Sequence, residues 1–150
     1  MSVTFTEMPD AIASDLFPNP WLDLVCDGYE LPFRDRAIAH LILFDVFHHL
    51  EKPALFLREA RRVLAPGGLA LVWEFGPTGH PVLDAWNAAV VSRGVRGPRL
   101  RSSDTLRRLA TEAGFPFTRY ANLRPFLVPP IPRASILIGR PPEGFDSTRL

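Results

Sequence analysis

A nearly continuous apolar run from Ala37 to Phe44 is the feature that most constrains how this chain can fold. Such a run is typical of a strand in a parallel sheet whose two faces are both covered. Pro53 then opens a helix at a position where its missing N–H costs nothing. The segment Pro66-Gly67-Gly68 stops that helix and turns the chain into a second apolar strand, Leu69–Phe75. Strand, helix and strand in this order predict a parallel α/β crossover.

The remaining elements extend this alternation toward both ends of the chain. Two prolines in Leu16–Pro20 forbid regular pairing there and separate two short strands. The other predicted elements are strands over Ala11–Asp15 and Trp21–Cys26, helices over Val82–Val91 and from Ser102 or Ser103 to Leu109, and two last strands over Phe115–Ala121 and Ser135–Gly139, joined by the loop Arg124–Arg133. This order predicts an α/β three-layer sandwich with a mostly parallel sheet and a C-terminal antiparallel strand pair.

Composition narrows the class of protein. A length of 150 residues predicts one domain over 1–140, followed by a flexible tail over 141–150. The net charge is +1, so nothing global indicates binding to nucleic acid or to an anionic membrane. Cys26 is the only cysteine, which fits a reducing compartment, and the first residues lack the features of a signal peptide. We therefore expect a cytoplasmic protein that binds neither nucleic acid nor membrane.

Acidic residues at the ends of predicted strands are the first candidates for a binding site, because ligands of open parallel sheets bind beyond the carboxyl ends of the strands. Asp15 ends the first strand, and Asp27 with Gly28 follows the second. A structural alternative stays open for both acids. Asp15 precedes a proline-rich turn, and an Asp-Gly pair is common in turns.

The third strand ends at Phe44 and Asp45, and His48 and His49 follow. A histidine at this place could act as general base for a hydroxyl or an acid of a substrate. Consecutive residues on a regular element point in different directions, so we expect at most one of the two histidines in a pocket. The other histidines show no spacing typical of a metal site, and we predict none. Glu74 ends the next strand and is a candidate for a substrate contact.

Three segments carry a family resemblance: Leu22–Phe33, Leu41–Leu50 and Phe56–Leu69. Their order and spacing resemble the middle of a class I S-adenosylmethionine-dependent methyltransferase of the type 11 group. The resemblance implies a Rossmann-like fold, S-adenosylmethionine as the methyl donor and a small molecule as the acceptor.

The resemblance also implies roles for the residues at the strand ends. Asp15 is expected to accept hydrogen bonds from the cofactor ribose, and Asp27 to read the adenine amino group beside Gly28. Phe44 and Asp45 are expected to lie against the methionine part of the cofactor. His48 or His49 is the expected general base. These assignments follow from the family and not from the spacing of the residues.

Family members have a strand, a glycine-rich turn and a helix before the position that Asp15 occupies here, and the resemblance does not extend to these elements. No glycine occurs before Gly28, and too few residues precede Ala11 for a parallel crossover, which needs about a dozen. We therefore expect S-adenosylmethionine to bind more weakly than about 10 μM, or −7 kcal/mol, or not at all. We also expect an unpaired sheet edge that self-associates, takes a partner strand, or is closed by Ala11–Ser14 lying beside Ala37–Phe44. The alternatives to an active enzyme are an inactive truncated domain that acts as a binding module, and one half of a split enzyme.

Overall fold

The computed structural model describes residues 11–76, 80–92, 101–115, 117–123 and 133–139. It divides the chain into two compact units, Met1–Pro32 and Phe33–Leu150. The predicted tail over 141–150 and most of the predicted loop 124–133 lie outside the described residues. Within the ranges that are described, no helix is long and apolar enough to cross a membrane.

The first unit contains two short parallel strands, β1 (Ser14–Asp15) and β2 (Leu24–Val25). Both lie where the sequence predicts a strand, but both are shorter than predicted. One reason is that the backbone N–H of Ala13, just before β1, donates to the carboxylate of Asp23 at 2.9 Å. This N–H is therefore not used for pairing between the strands. The parallel pairing places the carboxyl ends of β1 and β2 at the same edge of this small ladder.

The second unit contains a four-stranded sheet in the order β3-β4-β6-β5. The strands are β3 (Ile38–Phe44), β4 (Leu64–Phe75), β5 (Phe117–Leu123) and β6 (Arg133–Gly139). β3 and β4 run parallel, and β6 is antiparallel to both β4 and β5. The structure therefore contains both the predicted parallel crossover and the predicted C-terminal antiparallel pair.

The described part of the second unit contains three α-helices: α1 (Pro53–Val63), α2 (Pro81–Ser92) and α3 (Ser103–Glu112). Pro53 stands in the first turn of α1, as predicted. Ser102 caps α3, because its hydroxyl oxygen accepts a hydrogen bond from the N–H of Thr105 at 3.3 Å. Helix α1 contacts both α3 and β4. Its buried residues are Phe56, Leu57, Ala60 and Val63.

The core lies between α1, α3 and one face of the sheet. Val72 and Glu74 of β4 and Leu43 of β3 are buried, in keeping with the period of two along a strand. On the other face of β3, Ile42 is 53% exposed and Phe44 is 47% exposed. The prediction that β3 is covered on both faces therefore does not hold for the described residues. The physical reason is that, among the described elements, no helix packs extensively against β3 on this face.

The segment Pro66-Gly67-Gly68 lies inside β4 and is not the predicted turn before it. Ile38 pairs with Leu64 whereas His40 pairs with Leu69, so residues 65–68 bulge out of the ladder. Gly67 has a φ of +77°, which L side chains rarely adopt. A Cβ atom on Gly68 would lie 2.7 Å from the carbonyl oxygen of Ala39. One glycine thus supplies the backbone conformation of the bulge, and the other allows β3 to approach.

Candidate active site

The chain leaves β3 through a sharp turn at Asp45, which has a φ of +54°. Aspartate tolerates this left-handed conformation better than most residues do. The N–H of Asp45 donates to the carbonyl of Trp73 at 2.9 Å, so the turn begins while the backbone is still paired with β4. A single 3-10 turn, Phe47–His49, follows and leads toward α1. These residues therefore gather at the carboxyl end of β3, the edge at which parallel sheets bind ligands.

A buried histidine–glutamate pair joins this turn to β4. The Nδ1 atom of His48 lies 2.7 Å from Oε1 of Glu74, and the backbone N–H of His48 donates to Oε2 of Glu74 at 2.9 Å. His48 is 5% exposed and Glu74 is 2% exposed. Burying a carboxylate is costly unless it is hydrogen-bonded, and here both of its oxygens have a partner. The pair is the most strongly polar feature of the described core.

The two consecutive histidines occupy different environments. His48 is buried, whereas His49 is exposed, although their ring centroids are only 4.0 Å apart. The backbone N–H of His49 donates to the carbonyl of Val46 at 3.0 Å, which closes the 3-10 turn. Of the two candidate histidines, His48 is thus the buried one whose ring contacts the carboxylate of Glu74, and His49 is the exposed one.

Arg101, which lies just before α3, holds the same turn from another side. Its guanidinium donates to the carbonyl of Phe47 at 2.7 Å and to the carbonyl of Leu50 at 2.8 Å. It also lies 5.3 Å from the centroid of the Phe47 ring. The sequence analysis did not identify Arg101, because no local pattern around it indicates a contact with a turn more than 50 residues earlier in the chain. Glu74 did carry a signal, because a lone carboxylate in an apolar strand needs a partner.

An aromatic pair adjoins the turn on the exposed face of the sheet. The rings of Phe44 and Trp73 stack with their centroids 6.0 Å apart and an angle of 14° between their planes. Trp73 is half-buried, and Phe44 is exposed. The pair gives the carboxyl end of β3 a flat apolar surface directly beside Asp45, suited to an aliphatic or aromatic part of a ligand.

The other predicted site residues, Asp15, Asp27 and Gly28, belong to the first unit. Oδ1 of Asp15 accepts the N–H of Phe17 at 3.1 Å, and Oδ1 of Asp27 accepts the N–H of Tyr29 at 2.9 Å. Each acid therefore forms the turn that was its structural alternative. A carboxylate has two acceptor oxygens, so a turn contact through Oδ1 is compatible with a ligand contact through Oδ2. The structure places the predicted residues in two sets, one in each unit.

An arginine network lies at the C-terminal end of α1, near the start of β3. Arg62 donates to Glu59 at 2.6 Å, to Asp35 at 2.7 Å and to the carbonyl of Phe33 at 2.8 Å. These hydrogen bonds, chiefly that to Glu59, raise the pKa of Arg62 above its usual range. In the part of the chain that the structure describes, no group of three or more His, Cys, Asp or Glu residues could hold a metal ion.

Residues 2–72 match the methyltransferase domain family. The probable tRNA methyltransferase 9B of Mus musculus is 38% identical over 80 residues, which are 47% of this chain and 18% of that protein. The mitochondrial 2-methoxy-6-polyprenyl-1,4-benzoquinol methylase of Leishmania donovani is 30% identical over 122 residues, which are 68% of this chain and 42% of that protein. The chain spans less than half the length of these curated relatives.

Solved structures share the fold. An S-adenosylmethionine-dependent methyltransferase of Thermotoga maritima, a possible histamine N-methyltransferase, is similar with a TM-score of 0.65 at 18% identity. The likeness covers 78% of this chain and 63% of that one, and at this identity it shows the fold alone. It confirms the predicted Rossmann-like α/β fold.

The chain shares its α/β fold with solved S-adenosylmethionine-dependent methyltransferases. Residues 2–72, a little under half of the chain, are similar to the methyltransferase domain family, as the resemblance of the sequence implied.

Proposed function

We propose that this chain binds S-adenosylmethionine and transfers its methyl group to a small-molecule acceptor. The observation that carries the proposal is the convergence of Phe44, Asp45 and His48 at the carboxyl end of β3, beside β4. The names of the similar proteins include histamine, a benzoquinol and tRNA as acceptors. A net charge of +1 favours a small molecule, because binding to RNA depends on neutralising its phosphates with basic residues. A cytoplasmic location without membrane binding is part of the proposal.

Each candidate residue has one task in this proposal. Asp15 binds the ribose hydroxyls, and Asp27 binds the adenine amino group beside Gly28. Asp45 takes the α-amino group of the cofactor, and the ring of Phe44 packs along its methionine chain. His48 accepts a proton from the acceptor, and His49 is the weaker candidate for that task. Methyl transfer depends mainly on in-line placement of donor and acceptor, so most of these groups act by positioning.

Titration calorimetry with S-adenosylhomocysteine tests cofactor binding. We expect a dissociation constant between about 10 μM and 1 mM, or −7 to −4 kcal/mol. Asp15→Asn and Asp27→Asn keep an amide oxygen that can accept the N–H of Phe17 or Tyr29, but they remove the charge. Each should weaken binding about tenfold or more, because hydrogen bonds to charged groups contribute about 1.5–3 kcal/mol. Asp104→Asn, in the first turn of α3, is the matched control and should leave binding unchanged.

The wild-type titration also defines failure. If S-adenosylhomocysteine gives no heat of binding up to about 1 mM, which is near −4 kcal/mol, the proposed cofactor is wrong. If it binds and the two Asn variants bind equally well, the cofactor stands but the roles of Asp15 and Asp27 do not.

A second candidate function is a binding module, or one part of a split enzyme. A different observation favours it: Ile42, Phe44 and Val46 are exposed along and just after β3, the end strand of the described sheet. Apolar end strands are templates for pairing with another chain, and natural proteins usually protect them with charges or prolines. The described part of β3 contains neither.

A further inference from the structure

A basic pocket lies at the C-terminal end of α1. Its volume is about 360 Å³, which falls at the low end of the range for small-molecule sites, about 300–1,000 Å³. The lining residues come from the segment before β3, from α1 and from the residue after α3: Asp35, Arg36, Arg58, Arg61, Arg62 and Ala113. Four of the six are arginines and one is an acid, so the lining carries a net charge of +3. Including Glu59, which pairs with Arg62, the net charge is +2. A cleft with such a surplus concentrates anions.

The pocket lies at the opposite edge of the sheet from the candidate active site. Helix α1 follows the carboxyl end of β3 and returns the chain to the beginning of β4, which runs parallel to β3. The last turn of α1, with Arg61 and Arg62, therefore lies near the amino ends of these strands. Arg36 lies just before β3, and its backbone N–H donates to the carbonyl of Arg62 at 2.9 Å. An anion in this pocket would not occupy the place proposed for the methyl donor.

The backbone holds Arg36 in an unusual conformation. Its φ is +60°, in the left-handed region that is disfavoured for residues with a Cβ atom. Residues held in this way cluster at functional sites, where surrounding contacts keep them in place. Glycine or asparagine would fit this backbone better than arginine does. An arginine at this position therefore indicates a role for its side chain.

Two of the other arginine side chains are held by their surroundings. A Cβ atom on Gly114 would lie 3.1 Å from Nε and 3.2 Å from Cζ of Arg61, so this guanidinium lies against the backbone that follows α3. The guanidinium of Arg62 is held by Glu59 and Asp35. Side chains that are already in place lower the ordering cost of binding a ligand.

Basic residues near the C-terminus of a helix also interact favourably with the helix dipole. This effect accounts for Arg61 and Arg62, which lie in the last turn of α1. It does not account for Arg58, which lies one turn earlier, or for Arg36, which lies outside the helix. The dipole alone therefore does not explain why these arginines line one pocket.

We propose that this pocket binds a small oxyanion that carries two or more negative charges, a phosphate compound or a polycarboxylate. Arginine presents a planar fork of N–H donors that matches two oxygens of a phosphate or of a carboxylate. A ligand with one charge would leave most of the surplus of the lining uncompensated. The arginines line a pocket that also contains Asp35, and nucleic acid is instead bound along an extended basic face. The proposal does not depend on methyl transfer.

Calorimetric titration of the full chain with pyrophosphate and with tricarballylate tests the proposal, in chloride buffer at a constant ionic strength of about 0.15 M. We expect a dissociation constant of about 1 mM or tighter for at least one of the two probes, and none measurable for acetate. Binding of one probe alone supports the pocket and identifies which of the two oxyanion types it prefers.

Two variants remove one charge each from the lining. Arg58→Gln changes an exposed helix residue, and Arg36→Asn introduces a residue that tolerates the positive φ. Each should weaken binding of the probe about three- to tenfold, and the two together more than about tenfold. Arg119→Gln is the matched control, since it removes the same charge from an exposed position of β5 outside the pocket and should leave binding unchanged.

Amide NMR of the wild type locates the anion without any variant. The probe that binds should shift the amides of Arg36, Arg61 and Gly114 more than those of Asp45 and His48. The proposal is wrong if neither probe binds up to about 10 mM, if the shifts lie elsewhere, or if Arg119→Gln weakens binding as much as Arg58→Gln. The affinity for S-adenosylhomocysteine should be the same in all these variants, so this proposal and the proposed function fail independently.

Discussion

The guanidinium of Arg101 donates to the backbone carbonyl of Phe47 at 2.7 Å and lies 5.3 Å from the ring of the same residue. A second bond, to the carbonyl of Leu50 at 2.8 Å, spans the turn that carries His48. A residue just before α3 thus fixes the turn that follows β3.

Replacing Arg101 by Met keeps most of the apolar stem and removes both hydrogen bonds. We expect the free energy of unfolding to fall by about 2–4 kcal/mol, because each charge-assisted bond contributes about 1.5–3 kcal/mol and water recovers part of the loss. Urea denaturation with linear extrapolation measures it. Arg108→Met is the control, since it removes only an exposed pair with Glu112 and should cost less than about 1 kcal/mol. Equal losses in the two variants would contradict the bracing role of Arg101.

The two glycines of the β4 bulge should respond differently to alanine. In Gly68→Ala the new Cβ would meet the carbonyl oxygens of Ala39 and Ala65 at 2.7 and 2.8 Å, and these backbone atoms cannot move cheaply. We expect a loss of about 3 kcal/mol or more, the upper range for overpacking. Gly67→Ala meets no atom within 4 Å and carries only the strain of a positive φ, about 1–2 kcal/mol. Thermal denaturation of both variants measures which one loses more stability. A larger loss for Gly67→Ala would contradict the close approach of Gly68 to the backbone of β3.

The Arg62 network should stabilise the fold in a salt-dependent way. Arg62→Met removes the contacts to Glu59 and Asp35, and we expect a lower melting temperature than for Arg58→Met. The matched residue Arg58 donates to the carbonyl of Ala54 in its own helix at 3.3 Å. The difference should shrink in about 1 M NaCl, where the Debye length is about 3 Å. Because hydrogen bonds raise the pKa of Arg62, its contribution to stability is fully present below the ordinary arginine pKa and is lost only as the pH rises through the raised one. The difference should accordingly stay constant between pH 7 and pH 10.

The exposed face of β3 should promote association if the chain acts as a binding module. Ile42→Lys places a charge on the end strand and should shift the weight-average mass toward the monomer in light scattering. Ile12→Lys is the matched control, since Ile12 is equally exposed but lies in the first unit. A monodisperse wild-type monomer with fast amide exchange over Leu41–Phe44 would be evidence against association and against pairing by another segment.

The sequence predicts the order of the elements because it depends on local signals. The apolar run before Asp45, the proline that opens α1 and the serine that caps α3 each act within a few residues. The bulge in β4 could not be predicted, because it depends on the distance between Gly68 and the backbone of a different strand.

The candidate site was predicted only in part. Phe44, Asp45 and His48 follow from strand-end position and from the family, but the separation of His48 from His49 depends on a bond to Glu74, 26 residues away. The contact from Arg101 spans 54 residues and has no local signature. Tertiary hydrogen bonds of this kind come from the packing of elements, and periodicity does not contain them.

The backbone N–H groups of Asp45 and His48 both donate hydrogen bonds to β4. That of Asp45 donates to the carbonyl of Trp73, and that of His48 donates to the carboxylate of Glu74. The turn between them can open only when β4 releases these groups. It therefore belongs to the same cooperative unfolding unit as the sheet, although most binding loops come from the least stable part of a protein. We expect the amides of Asp45 and His48 to exchange as slowly as those in the middle of β4. A ligand of the proposed site would then enter and leave through motion of other segments, while this turn stays fixed.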